Sequence, residues 1–100
     1  MIARLWHGAV PAARADAYLA LMRSVAIPDY KATPGNLGAW CLHRAEGDVV
    51  HFQMLSFWPD IDSIRRFAGE DHEVAKYYDF DRGFLIELEP QVTHYEVHDE

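Results

Sequence analysis

Residues 36–58 read NLGAWCLHRAEGDVVHFQMLSFW, two runs of alternating character around Glu46-Gly47. Glycine accepts the positive φ that a tight turn demands, so the stretch predicts a β-hairpin ending at Trp58-Pro59. Pairing Ala45 with Asp48 places Arg44 opposite Val49, Leu42 opposite His51, Trp40 opposite Gln53 and Gly38 opposite Leu55. Side chains alternate along a strand, so His43, Cys41, Ala39 and Leu37 share the other face with Val50, Phe52, Met54 and Ser56. That second face is apolar and suits a surface lying under helices. The first mixes Trp40 and Leu55 with Arg44, His51 and Gln53, which suits the wall of a pocket or of a subunit interface enclosing one.

Upstream, MIARLWHGAV (1–10) predicts a first strand with Ile2, Arg4 and Trp6 on one face and Ala3, Leu5 and His7 on the other. From residue 11 to about 25 the period becomes helical, with Ala15, Tyr18, Leu19, Met22 and Val25 on one stripe. Pro28 lacks an amide proton and crowds the preceding turn, so the helix is expected to stop before it. Residues 27–35 then form an irregular connection whose Tyr30 and Lys31 overhang a pocket.

Downstream, Asp60 is a natural N-cap for a short helix with Ile61, Ile64, Phe67 and Ala68 inward, ended by Gly69. Asp71 is expected to cap a second helical piece with Val74, Ala75 and Tyr78 inward and Tyr77 to one side. YYDFDR (77–82) reads as a loop, with Asp79, Asp81 and residues 87–89 as solvated charge. VTHYEVH (92–98) alternates as a last strand.

The order β-α-β-β-α-β makes this an α+β chain, a ferredoxin-like sandwich forming a single domain over residues 1–100. Both helices then cover one face of the sheet. The other face, with Ile2, Trp6, Trp40, Leu42, Leu55 and Phe57, is too apolar to remain wet, and a second copy of the sheet is the simplest cover. A homodimer also suits a chain of 100 residues, which buries only about 60 to 65% of its unfolded surface.

The net charge of -7, with nine scattered basic residues, argues against nucleic acid and anionic membrane surfaces as partners. Cys41 stands alone, so no disulfide framework or cysteine metal site is expected. No apolar run approaches the ~20 residues of a membrane span and no leader pattern starts the chain, which makes a cytoplasmic protein the expectation.

Four segments, MIARLW (1–6), LSFWPDIDSIRRFAGED (55–71), AKYYDFDRGFLIELEP (75–90) and VTHYEV (92–97), together resemble the antibiotic biosynthesis monooxygenase family of dimeric α+β barrel proteins. The resemblance is collinear over essentially the whole chain. It implies a ferredoxin-like protomer whose sheet packs on a partner's to form a barrel, with a pocket between sheet and helices in each subunit. It also implies oxidation of aromatic polyketides or quinols by O₂ without flavin or metal, or, in a related branch, haem degradation. The haem branch uses an Asn, a Trp and a His that fall here at Trp6 or His7, at Phe67 and at Tyr77, so none of the three matches.

Cofactor-free oxidation asks the protein only to bind, desolvate and deprotonate an electron-rich phenol. His51 is the candidate base, and Arg4 or Arg44 the stabiliser of the phenolate. Gln53 can orient a carbonyl, and Trp6, Trp40, Phe57, Phe67 and Tyr77 can line a site for a planar ring. Each has a plainer alternative: an interface histidine for His51, core or dimer area for the tryptophans, and for Arg4 an ion pair with Glu96 or an acid of a second subunit. His94, Glu96 and His98 share a strand face, but about 13 Å separates the two histidines, too far for one ion. No cofactor is expected, since no phosphate-cradling loop, dinucleotide fingerprint or nucleophile with its base is present. The competing expectation is a non-catalytic dimer of the same fold that binds a small molecule or serves a stress response.

Overall fold

The computed structural model describes residues 1–99; residue 100, the end of the predicted acidic tail, lies outside them. Four strands, β1 (Ile2–Pro11), β2 (Gly38–Glu46), β3 (Val49–Trp58) and β4 (Thr93–Glu96), form one antiparallel sheet in the order β2-β3-β1-β4. Helices cover one face of it. The core sits between, formed by Trp6, Val10, Phe52, Met54 and Trp58 from the sheet and by Tyr18, Met22, Ile64 and Phe67 from the helices.

The hairpin forms where the sequence places it, with a different register. Glu46 pairs with Val49, so the turn is Gly47-Asp48. Gly47, at φ 61°, occupies the first central position, where a two-residue hairpin needs the left-handed conformation. Arg44 therefore faces His51, Leu42 faces Gln53, and Trp40 faces Leu55. The shift is two residues, so no side chain changes face. Ala39, Val50, Phe52, Met54 and Ser56 lie buried under the helices, as their pattern predicts.

The first strand overturns a larger expectation. Its register on β3 pairs Ile2 with Trp58, Arg4 with Ser56 and Trp6 with Met54. Directly opposed residues share a face, which puts Arg4 and Trp6 beneath the chain's own helices, 0% and 4% exposed. Ala3, Leu5 and His7 occupy the open face instead. Gly8 makes room for this arrangement: a Cβ there would come within 2.5 Å of the Trp6 ring and 2.7 Å of Leu85.

The first helical segment also runs further than expected. After a 3-10 turn (Ala12–Arg14), α1 (Ala15–Leu21) passes through a π-turn (Met22–Ala26) into α2 (Ile27–Ala32). Pro28 is accommodated because the backbone it would crowd, the turn around Ser24, is already widened. The wide turn also resets the inward stripe to Tyr18, Met22, Ala26 and Tyr30, leaving Val25 38% exposed.

The next helix, α3 (Ile61–Ala68), has the expected ends, since Asp60 accepts from the Ser63 amide at 2.8 Å and Gly69 terminates it; Ile64 and Phe67 are buried, but Ile61, expected inward, is exposed. The second helical piece expected after Asp71 is instead a turn, with Val74 bridged to Gln91. Residues 77–92 run as a strap along the helix-side edge of β1, containing only a 3-10 turn (Asp79–Gly83). Ile86 N–H donates to the Ala9 carbonyl at 2.9 Å, where β4 no longer borders β1. Among the described residues no helix is long and apolar enough to cross a membrane.

Candidate functional site

The sheet divides the sequence-predicted site residues between its two sides. Arg4, Trp6, Phe67 and Tyr77 lie on the helix side, while His51, Gln53, Trp40 and Phe57 lie on the open face. A single wall carrying both Trp6 and Trp40 with Arg4 does not exist.

On the helix side a cleft opens between β1, β3, the α1–α2 segment and the strap. Trp6, Tyr18, Met22, Tyr30, Met54 and Tyr78 give it aromatic and thioether walls, and Lys76 and Asp81 supply charge. The cavity is about 10 Å³, enough for a single water.

Polar groups in and behind its walls form three sets, the first two joined through Tyr78. In the first, Tyr18 Oη donates to Asp81 Oδ1 at 2.6 Å, and the Tyr78 amide donates to Asp81 Oδ2 at 2.7 Å. Asp81 is 1% exposed, so the solvated loop charge expected from the sequence is in fact a buried carboxyl. Burial pushes it above the ordinary carboxylate range, with the Tyr18 and Tyr78 bonds opposing. The flanking Phe80 and Phe84 were the available signal, since both pack around Tyr18 and carry the loop inward.

In the second set, Tyr78 Oη at 2.6 Å and Lys76 Nζ at 2.8 Å both donate to Asp29 Oδ2. Burial works upward on Asp29, but the two hydrogen bonds and the ammonium charge outweigh it and hold the carboxyl below its usual range. Tyr77 packs edge-on against Trp6 and donates its hydroxyl to the Glu89 carbonyl.

The third set is Arg4. Its guanidinium reaches Tyr30 Oη and the Val74 carbonyl at 3.4 Å each and lies 5.4 Å from the Phe67 ring centre. Neither Glu96 nor any other carboxylate among the described residues makes an ion pair with it. Arg4 Nε and Trp6 Nε1 are buried donors without a partner. Desolvation lowers the Arg4 pKa, and burial pushes the Tyr30 phenol up to about 12 against the pull of that guanidinium. Tyr30 Oη accepts from Arg4 and lines the cleft, and its own proton makes no hydrogen bond to another described residue.

The open face carries a separate polar chain. Glu89 Oε2 lies 2.5 Å from His7 Nδ1, His7 Nε2 lies 2.9 Å from His51 Nδ1, and His51 Nε2 lies 3.0 Å from Glu46 Oε1. Arg44 and Gln53 flank the histidines, while Trp40 packs edge-on against Phe57 at 5.6 Å. Trp40, Leu42 and Tyr95 are about half exposed on this face. His51 thus belongs to a surface network on the far side of the sheet from the cleft. Among the described residues no group of three or more His, Cys, Asp or Glu is placed to hold a metal ion.

The chain matches no protein-family model and no curated protein.

Proposed function

We propose that the helix-side cleft binds a small planar phenol or quinol as its anion and promotes its oxidation by O₂ without a cofactor, in a ferredoxin-like protomer that pairs with a second copy through the open sheet face. The observation that carries this reading is Arg4. A fully buried guanidinium with no carboxylate partner is costly; Arg4 stands behind the cleft, bonded to the Tyr30 hydroxyl that lines it, and an anionic oxygen accepting from Tyr30 offsets part of that cost. The strand order and the one-sided helices support the ferredoxin-like reading, and the half-exposed Trp40, Leu42 and Tyr95 support the pairing.

Tyr30, polarised by Arg4, donates its free proton to the ligand oxygen. Asp81 replaces His51 as the base, because it lines the cleft and its raised pKa suits proton uptake from a phenol. Trp6 and Tyr78 hold the ring plane and exclude water. The phenolate gives one electron to O₂, the radical pair combines at a ring carbon that bears hydrogen to give a peroxide anion, Asp81 returns its proton to make the hydroperoxide, and loss of that hydrogen with the terminal hydroxyl as water leaves a carbonyl.

O₂ uptake with a panel of hydroquinones and anthrones tests the chemistry. Uptake is expected with the wild type and lost in Arg4→Met and in Asp81→Asn. Uptake no faster than buffer, or unaffected by both substitutions, removes the enzyme. The small cavity, about 10 Å³, favours a second reading, a dimer that binds a small anion without turning it over. Saturable binding without O₂ uptake would select it.

A further inference from the structure

Strand β2 is one edge of the sheet, and no described residue pairs with its outer side. It runs for nine residues, whereas β4, the opposite edge, has four. The hairpin turn closes on Glu46 and Val49, the pair that bonds across a two-residue turn. Bonded pairs alternate along an antiparallel ladder, so Arg44 and Leu42 turn their amides and carbonyls toward β3, while Ala45, His43 and Cys41 turn theirs outward. None of those outward groups bonds to another part of the backbone.

The side chains of Cys41 and His43 point to the helix side, where the His43 ring stacks on Phe52. There a groove of about 410 Å³ runs between them and the α1–α2 segment. Leu19 and Ile27 give it apolar walls, and the exposed Arg23 and Lys31 stand beside them. The same two strand residues thus present free backbone groups and a side-chain groove. No carboxylate among the described residues lines this groove, in a chain with sixteen acids and nine bases. Neither Arg23 nor Lys31 makes an ion pair among the described residues.

We propose that the β2 edge captures an extended acidic peptide of another protein by adding it to the sheet as a fifth strand. Its carboxylates meet Arg23 and Lys31, and an apolar side chain between them packs on Leu19 and Ile27. The spacing fits: eight residues along a helical run separate the two bases by about 12 Å. Strand residues four apart lie about 13 Å from one another on the same face. The guest therefore reads acid-x-apolar-x-acid, with main-chain bonds supplying the hold and charge supplying the choice. A second copy's β2 is a poorer guest, since it would bring the same bases and no acid to the groove. The cleft takes no part in this capture, so either reading can fail while the other stands.

Titration of the full-length protein with the blocked peptide acetyl-TETVTET-amide, followed by nitrogen-15 spectra and amide exchange, tests the edge. Saturable shifts are expected along residues 39–45, with new protection of the Cys41 and His43 amides. The matched peptide acetyl-TKTVTKT-amide should bind at least ten-fold more weakly. Reversing both exposed bases, Arg23→Glu with Lys31→Glu, should invert that preference without touching the core. Peptides N-methylated on alternate residues report the backbone bonds. Methylating one set, the glutamates and valine for an antiparallel addition or the threonines for a parallel one, should abolish binding, and methylating the other should leave it. Equal binding of the acidic and basic peptides overturns the proposal, as does equal behaviour of the two methylated sets. Cys41 and His43 amides already protected in the free protein would mean that a second copy holds the edge, which also overturns it.

Discussion

The two faces of this sheet are built from the same three long strands and use charge in opposite ways. Under the helices, Arg4 and Asp81 are buried to within 1% of full coverage and reach mostly neutral partners, so each holds an electrostatic cost that a ligand or a proton can relieve. On the open face, His7, His51, Glu46 and Glu89 remain part-exposed and satisfy one another. In the proposed reading, the unrelieved charge is the side that takes a ligand, and the satisfied charge among exposed apolar residues is the side that meets a second copy.

The strongest way to break the comparison is to truncate matched aromatics on the two sides. Phe52→Ala removes a fully buried ring and should lower unfolding free energy by about 3 to 5 kcal/mol. Trp40→Ala, on the half-exposed side, should cost about 1 kcal/mol or less by denaturant titration. Its larger effect is expected in sedimentation at micromolar concentration, where the wild type should run as a dimer and the variant shift toward 11.5 kDa. A wild type already at 11.5 kDa would contradict the pairing of open faces.

Next comes Arg4→Met. The buried guanidinium has no ion pair to lose, so an apolar side chain of similar length should raise stability by about 1 to 4 kcal/mol while abolishing anion binding. A loss of stability would mean that Arg4 already has the partner it needs.

A smaller effect separates the sides by pH. His94, next to Arg4 across β1 and β4, has a buried Nε2 without a partner. Desolvation, then the charge of Arg4 and the nearby His72, pulls its pKa down to about 4. The unfolded chain, titrating near 6.5, binds the proton more readily, so this group's contribution is whole above about pH 6.5 and is lost as pH falls toward 4. His94→Phe should flatten that part of the acid limb. The smallest change is expected at the exposed Arg65–Asp62 pair of α3, where Arg65→Ala should alter stability by about 0.5 kcal/mol or less.

What the sequence revealed follows the range over which each choice is made. The hairpin and α3 were legible because a turn glycine, an Asp N-cap and a terminal glycine act within a few residues. The placement of Arg4 and Trp6 was not. Both faces of β1 offer apolar residues, Ile2 and Trp6 against Ala3 and Leu5, and a one-residue difference in register on β3 decides between them. The passage of the helix through Pro28 depended on a π-turn that no periodicity announces. Asp81 was misread because an acidic residue in a loop is ordinarily solvated, and only the aromatic residues around it carry it inward.

Absorbance of a nitrophenol, which reports its own ionisation, tests the buried Arg4 most directly. Added below its free pKa, the ligand should appear as bound phenolate with the wild type and as unbound phenol with Arg4→Met. A wild-type chain that binds it in the neutral form, or fails to bind it at all, would contradict the account.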